Sequence, residues 1–127
     1  RNDLAVLGDE VAQGVDILVS DENARHSVGV QVKTSQGDKP VWILNQKIES
    51  MNAAENLVFI LVVLNGLGQP AYHIVPRKDL VSTVTQKHRE WLEAPGKHGQ
   101  ARRDSSIRKF EDHEHAYLDR WDYLGLG

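Results

Sequence analysis

Three polar residues in the N-terminal part of the chain have types and spacing that could bind a metal ion and a phosphate. Asp16 lies within the apolar run Val15 to Val19, while Gln31 and Lys33 lie within the alternating run Val28 to Thr34. A carboxylate and an amide oxygen are hard ligands, which suit Mg²⁺ or Mn²⁺ better than zinc. A lysine beside them could stabilise the charge that develops on phosphorus oxygens. The group therefore indicates metal-assisted phosphodiester chemistry.

These three side chains can meet only if the two runs form neighbouring strands. Both runs are strand-sized and rich in β-branched residues, and the polar segment Ser20 to Ser27 separates them, so we predict a β-hairpin. The predicted cross-strand pairs are Asp16 with Gln31, Leu18 with Gly29, and Gly14 with Lys33. Residues two apart in a strand share a face, which places the three polar side chains together. The backbone carbonyl of Val32 is a further candidate ligand.

The same residues also allow a simpler explanation, in which Asp16 and Lys33 form an ion pair and Gln31 takes no part. An unpaired charge in an apolar strand is costly, so Asp16 needs a partner in either case. An aspartate followed some distance later by a polar residue, any residue and a lysine is a common arrangement. The spacing alone therefore leaves both explanations open.

The rest of the chain predicts a sheet followed by a helix. Further strands are predicted at Asp3 to Leu7, Val41 to Leu44, Leu57 to Leu64 and Ala71 to Val75. The continuous apolar run Leu57 to Leu64 is typical of a central strand that is buried on both faces. The predicted class is α/β, or α+β, with a mixed sheet.

A helix is predicted to begin at Pro76 and to end before Pro95-Gly96. Its apolar face has helical spacing and comprises Leu80, Val81, Val84, His88, Trp91 and Leu92. We expect Trp42, Trp91 and Trp121 in the core, with His88 packed beside Trp91. A short terminal helical segment around Tyr117 to Leu124 is expected to pack back onto the core.

Size and composition predict one domain, residues 1–127, with a real core, because apolar residues make up 40% of the chain. There are no cysteines, which excludes disulfides, thiolate zinc sites and cysteine nucleophiles. No apolar run approaches the roughly 18 residues that span a bilayer, so no membrane partner is expected. The composition suits a reducing compartment, and we expect a cytoplasmic location.

Positive charge is concentrated in one segment although the net charge is −3. Residues 77–109 contain nine Lys or Arg against four Asp or Glu, a net of +5, between two acidic segments. The candidate contacts to nucleic-acid phosphates are Lys97, Arg102, Arg103, Arg108 and Lys109. Such contacts would be independent of base sequence and sensitive to salt. The alternative is a solvated loop, or arginines that pair with the acidic C-terminal segment.

Two runs, Gly14-Val15-Asp16-Ile17-Leu18-Val19 and Val30-Gln31-Val32-Lys33-Thr34-Ser35, resemble the PD-(D/E)XK superfamily of nucleases. A wider resemblance, to small uncharacterised bacterial members, is carried by Trp42-Ile43-Leu44-Asn45, Tyr72-His73-Ile74-Val75-Pro76, His88-Arg89-Glu90-Trp91-Leu92, Ser105-Ser106-Ile107-Arg108-Lys109-Phe110 and Tyr117-Leu118-Asp119-Arg120-Trp121-Asp122.

The resemblance implies a restriction endonuclease-like mixed sheet flanked by helices. It also implies hydrolysis of DNA, rather than RNA, with Mg²⁺ or Mn²⁺. Asp16 and Gln31 would bind the metal and Lys33 would stabilise the transition state. A homodimer is compatible with this function, since such nucleases often pair to reach two strands.

The chain departs from the superfamily pattern at three points. Val15 replaces the proline, which contributes only backbone shape, and Gln31 replaces the second acidic ligand. The helix that usually opens the superfamily fold is not predicted before Asp3. We therefore expect that the chain lacks it or that another subunit supplies that surface. The alternative function is an inactive module of the same fold that binds nucleic acid or protein.

Overall fold

The computed structural model describes residues 5–6, 17–20, 27–35, 37–50 and 57–125, and the elements of the fold lie within these ranges. The strands are β1 (Ala5–Val6), β2 (Ile17–Ser20), β3 (Ser27–Thr34), β4 (Val41–Asn45), β5 (Val58–Val63), β6 (Ala71–Pro76) and β7 (Ile107–Glu111). The helices are α1 (Lys47–Ser50), α2 (Arg77–Glu93) and a 3₁₀ helix (Trp121–Leu124). The fold is mixed α+β, in agreement with the predicted class.

The main sheet has five strands in the order β1-β2-β3-β5-β6. Strands β3 and β5 are parallel, while the other neighbours are antiparallel, so the sheet is mixed as predicted. Strands β2 and β3 pair with Leu18 opposite Gly29. This is the register predicted for the hairpin from the placement of its polar residues.

Strand β5 is the centre of the structure because both of its faces are covered. Phe59 and Leu61 pack with the apolar residues of α2 on one face, which we call the helix face. Val58 packs on the opposite face with the buried valines of β3 and with Leu124 of the 3₁₀ helix. An apolar strand of this kind exposes no polar side to water, so it requires a layer on each side.

A second, two-stranded sheet pairs β4 with β7 beside α2 on the helix face. We call it the ribbon. Strand β7 was not predicted, because Arg108 occupies a buried position between two exposed residues and hides the apolar alternation. Trp42 of β4 is fully buried, and its indole Nε1 donates to the carbonyl of Val62 at 3.1 Å, which ties the ribbon to the main sheet.

Helix α2 has the predicted boundaries, with Pro76 as its N-cap and Glu93 as its last residue. Leu80 and Val84 are buried against the sheet, but Trp91 is 41% exposed, so the expectation of a core position for Trp91 was wrong. The helix has 17 residues and is about 26 Å long, whereas the six-residue strand β6 is about 20 Å long. The C-terminal end of the apolar stripe therefore extends past its cover.

The segment after β7 closes the free edge of β6. Ile74 N–H donates to the carbonyl of Tyr117, and Asp119 N–H donates to the carbonyl of Tyr72. Burial, followed by the hydrogen bond to Asp79, raises the pKa of Tyr117 to about 12. The segment therefore covers this edge from Tyr72 to Ile74. Within the described residues, no helix is both long enough and apolar enough to cross a membrane.

The Trp42 contact predicts a measurable link between the ribbon and the main sheet. Trp42→Phe should lower the free energy of unfolding by about 1–3 kcal/mol, because it removes a buried hydrogen bond and core volume. The control is Ile43→Ala, at an exposed position on the same strand, which should change stability by at most about 0.5 kcal/mol. Urea denaturation measures both, and equal effects would show that Trp42 does not join the two sheets.

Candidate functional site

The structure places two of the predicted site residues, Gln31 and Lys33, on the same face of β3. Gln31 is paired with Phe59 and Lys33 with Leu61 of the parallel neighbour β5. Paired residues of adjacent strands share a face, so both polar side chains lie on the helix face of the sheet. Both are partly buried. The alternation predicted for this strand is confirmed, since Val28 and Val30 pack on the opposite face.

The side-chain oxygen of Gln31 has an unusual environment. Its Oε1 atom is buried and has no hydrogen-bond partner among the residues that the structure describes. Leaving a buried acceptor unsatisfied costs about 1–3 kcal/mol, so such atoms are uncommon and mark a strained group or an ion or water site. An amide oxygen in this state fits the coordination shell of a hard cation.

Asp16, the predicted acidic ligand, lies outside the described residues, as does Gly14. The described part of β2 begins at Ile17, which pairs with Val30. Val32, whose carbonyl was a candidate ligand, takes part in a further interaction and is not counted as an open ligand. No group of three His, Cys, Asp or Glu side chains that could bind a metal ion occurs within residues 17–20, 27–35, 37–50 and 57–125.

Lys33 makes no ion pair with any residue of the described ranges. No carboxylate of the described ranges therefore neutralises its ammonium group, while Asp16, its alternative partner, lies outside those ranges. A lysine two residues from an unsatisfied amide oxygen can bind a phosphate while that oxygen contacts a cation. The two groups are chemically complementary to a metal–phosphate pair.

A buried histidine–carboxylate pair lies further along the same face. His73 is 1% exposed, and its Nδ1 and Oδ2 of Asp112 are 2.6 Å apart. Asp112 also accepts the backbone N–H groups of Ala116 and Tyr117. Leu61 stands between Lys33 and His73 in the sheet, so the two residues are about 10 Å apart. The pair holds the segment after β7 against β6 and is separate from the Gln31 and Lys33 site.

Sequence analysis did not identify Asp112 as the partner of His73. The two residues are 39 positions apart, and no local pattern connects them. The segment around Asp112 is polar, so the sequence contains no indication that this carboxylate is buried. Only the docking of the segment after β7 brings them together.

Of the five basic residues proposed to contact phosphates, Arg108 already bonds to other residues of the protein. It is 7% exposed and donates to the carboxylate of Glu49 and to the carbonyls of Ser105 and Ile107. Burial raises the pKa of Glu49, but hydrogen bonds from Thr85 and Arg108 outweigh it and leave that pKa below its ordinary value. Arg108 therefore anchors β7 to α1 and is removed from the phosphate-binding set.

The other four residues of that set remain accessible. Lys97, Arg103 and Lys109 are exposed, and Arg102 is half-buried with its guanidinium 4.8 Å from the ring centre of Trp91. Lys109 also lies 3.9 Å from Glu111, a long and solvent-exposed ion pair that contributes little. These four residues form an exposed basic surface that begins at the end of α2.

A cleft of about 700 Å³ opens between α2 and β7. Its apolar wall includes Val84, Trp91 and Ile107. Its charged lining is mixed and comprises Lys87, Lys109, Glu111, Asp112 and Glu114. The cleft did not emerge from the sequence because β7 was not predicted. The exposure of Trp91 could have been inferred only from the length of the helix relative to the sheet.

His88 supports one end of this cleft. It stacks on Trp91 with a distance of 5.6 Å between ring centres, and its Nε2 is 2.7 Å from Asp104 Oδ1. That hydrogen bond lowers the pKa of Asp104 below its ordinary value. The expectation that His88 is a packing residue beside Trp91 is confirmed.

Comparison of the chain with protein-family models, with curated proteins and with solved structures finds no match in any of the three. The likeness to PD-(D/E)XK nucleases therefore remains a prediction from the sequence motifs that carry it.

The buried oxygen of Gln31 predicts a specific response to substitution. Gln31→Glu should bind Mg²⁺ or Mn²⁺ about tenfold more tightly, because a carboxylate replaces a dipole with a full charge at nearly the same reach. The control is Thr34→Glu, which adds the same charge to an exposed position of β3 facing the other way. Isothermal titration calorimetry measures both variants. Identical isotherms for Gln31→Glu and wild type would remove Gln31 as a metal ligand.

Proposed function

We propose that the chain is a metal-dependent nuclease that hydrolyses DNA phosphodiester bonds at the β2–β3 hairpin. Gln31 and Asp16 would bind Mg²⁺ or Mn²⁺, and Lys33 would contact the scissile phosphate. The proposal includes a cytoplasmic location and DNA as the substrate in preference to RNA.

The observation that carries this proposal is the buried, unsatisfied Oε1 of Gln31 beside a lysine on the same face. A structural glutamine in a strand would be expected to satisfy its amide or to extend it into water. The confirmed register of Leu18 with Gly29 adds support, since it was derived from the requirement that the polar residues meet. Each observation agrees with the resemblance, which places a metal ligand and a lysine at these positions.

The described residues suggest a role for each side chain in the proposed reaction. Lys33 would hold the phosphate and offset the negative charge that grows on its oxygens during attack by water. Gln31 would orient its oxygen toward the cation, held by its place on β3 between β2 and β5. A bound Mg²⁺ or Mn²⁺ supplies Lewis acidity and lowers the pKa of a coordinated water. The four accessible basic residues would position the DNA backbone.

The second candidate is a module of the same kind that binds nucleic acid without cleaving it. Gln31 is neutral where an active site of this type usually has a second acid, so the site attracts a cation weakly. Both a nuclease and a non-cleaving module would bind nucleic acid, but only the nuclease would cut it. A cleavage assay therefore separates the two functions.

Cleavage of supercoiled plasmid DNA tests the proposed function. With Mg²⁺ or Mn²⁺ the protein should nick or linearise the plasmid, and Lys33→Ala should reduce the rate about 10²–10³-fold, as expected for the loss of a group that stabilises transition-state charge. The matched control is Lys39→Ala, an exposed lysine in the turn after β3, which should leave the rate unchanged. Equal rates for Lys33→Ala and wild type, or no cleavage by wild type, would reject the nuclease.

Salt dependence tests the basic surface. The logarithm of duplex affinity should fall with the logarithm of salt concentration by about 0.9 for each phosphate contact. Replacing Lys97 and Arg103 together with Gln should flatten this slope by about two. Replacing Lys39 and Lys47, which lie elsewhere on the surface, should not. Fluorescence anisotropy at several salt concentrations gives the slopes, and an unchanged slope in the first variant would exclude these residues from the interface.

A further inference from the structure

The cleft between α2 and β7 is a second site, apart from Gln31 and Lys33. Its two long walls are an α-helix and a β-strand, both held from behind by the core residues Val84 and Phe110. The contacts of His88 with Asp104 and of Arg102 with Trp91 place the end of α2 beside the residues that precede β7. Both walls are therefore held in place by the core and by these contacts, so the cleft is formed without a ligand.

One end of the cleft is aromatic and apolar. Trp91 and Ile107 line it and are among the most exposed large apolar side chains of the described residues, at 41% and 57%. His88 stacks on Trp91 and restricts the rotation of the indole. A rigid, exposed indole in a concave site is suited to contact a flat ring.

The cations of the cleft lie on opposite walls. Lys87 comes from α2 and Lys109 from β7, and Lys87 has no ion-pair partner among the described residues. The cleft also contains the carboxylates of Glu111, Asp112 and Glu114, of which Asp112 contacts His73 and Glu111 contacts both His113 and Lys109. All three follow Lys109 in the chain, whereas Lys87 precedes Trp91 by one helical turn and Arg102 lies over its ring, so two cations lie beside Trp91.

We propose that this cleft receives one unpaired nucleotide of a single-stranded nucleic acid, with the base against Trp91 and a phosphate between Lys87 and Lys109. The chain would continue from there over Lys97, Arg102 and Arg103. This inference rests on the proposed function for its choice of nucleic acid as the partner. It restricts what this cleft binds to nucleic acid with unpaired bases, because a base inside a duplex cannot enter a cleft.

Arg102 is compatible with this occupancy. Its guanidinium lies over the exposed ring of Trp91 and also donates to the carbonyl of Pro95 at 3.3 Å. Base stacking on an indole is worth more than an exposed cation–π contact, so a base can displace the guanidinium. Arg102 would then be free to contact the adjacent phosphate.

Binding of a fluorescent ten-nucleotide oligothymidylate, without divalent metal and at low salt, tests the cleft. Trp91→Ala should weaken binding about tenfold, as expected for the loss of one stacked base. Lys87→Gln should weaken it severalfold. The control is Arg89→Gln, on the same helix but outside the lining of the cleft, which should bind the oligonucleotide as wild type does.

Two competitors define the ligand. A duplex of the same length and free thymidine monophosphate should each compete at least tenfold less well than the unlabelled single strand. Equal competition by the duplex, equal competition by the mononucleotide, or wild-type affinity of Trp91→Ala would each overturn the proposal. The nuclease is judged separately, since cleavage that depends on Lys33 can persist with an unchanged Trp91→Ala, and single-strand binding through Trp91 can persist without cleavage.

Discussion

The burial of β5 on both faces is the constraint on which the rest of the structure depends. Phe59 and Leu61 require cover on the helix face, while Val58 requires it on the other. Helix α2 and the ribbon provide the first layer, and the 3₁₀ helix provides part of the second. Strand β7 of the ribbon and the 3₁₀ helix both lie far beyond β5 in the chain, so the cover of both faces is complete only when the C-terminal segment docks onto the sheet.

The same constraint creates both candidate sites. Strand β3 is the parallel neighbour of β5, and its helix-face residues Gln31 and Lys33 are only partly covered. A polar pair can therefore stand next to the core without being sealed inside it. On the helix face, α2 and the ribbon pack over β5 and leave the cleft lined by Trp91 between α2 and β7. The layer that α2 and the ribbon form over the sheet thus determines where polar side chains remain accessible.

Local patterns predicted the elements well where burial follows a simple period. The hairpin register, the doubly buried β5 and the boundaries of α2 followed from alternation, from a continuous apolar run, and from Pro76 and Pro95. The predictions failed where tertiary contacts decide burial. Arg108 is buried because Glu49 neutralises it, and this hid β7; Trp91 is exposed because the helix is longer than the sheet that it covers. The site was predicted in part, since Gln31 and Lys33 share a face, while Asp16 lies outside the described residues.

The proposed site requires that the buried oxygen of Gln31 faces a cation. Crystals of the protein soaked in Mn²⁺, with diffraction recorded at the manganese absorption edge, test it most directly. We expect an anomalous peak roughly 2.0–2.3 Å from Gln31 Oε1, the range of Mg²⁺-like coordination, with Lys33 on the same side of the sheet. A map with no peak at that atom, or with Oε1 hydrogen-bonded to another protein group, would contradict it.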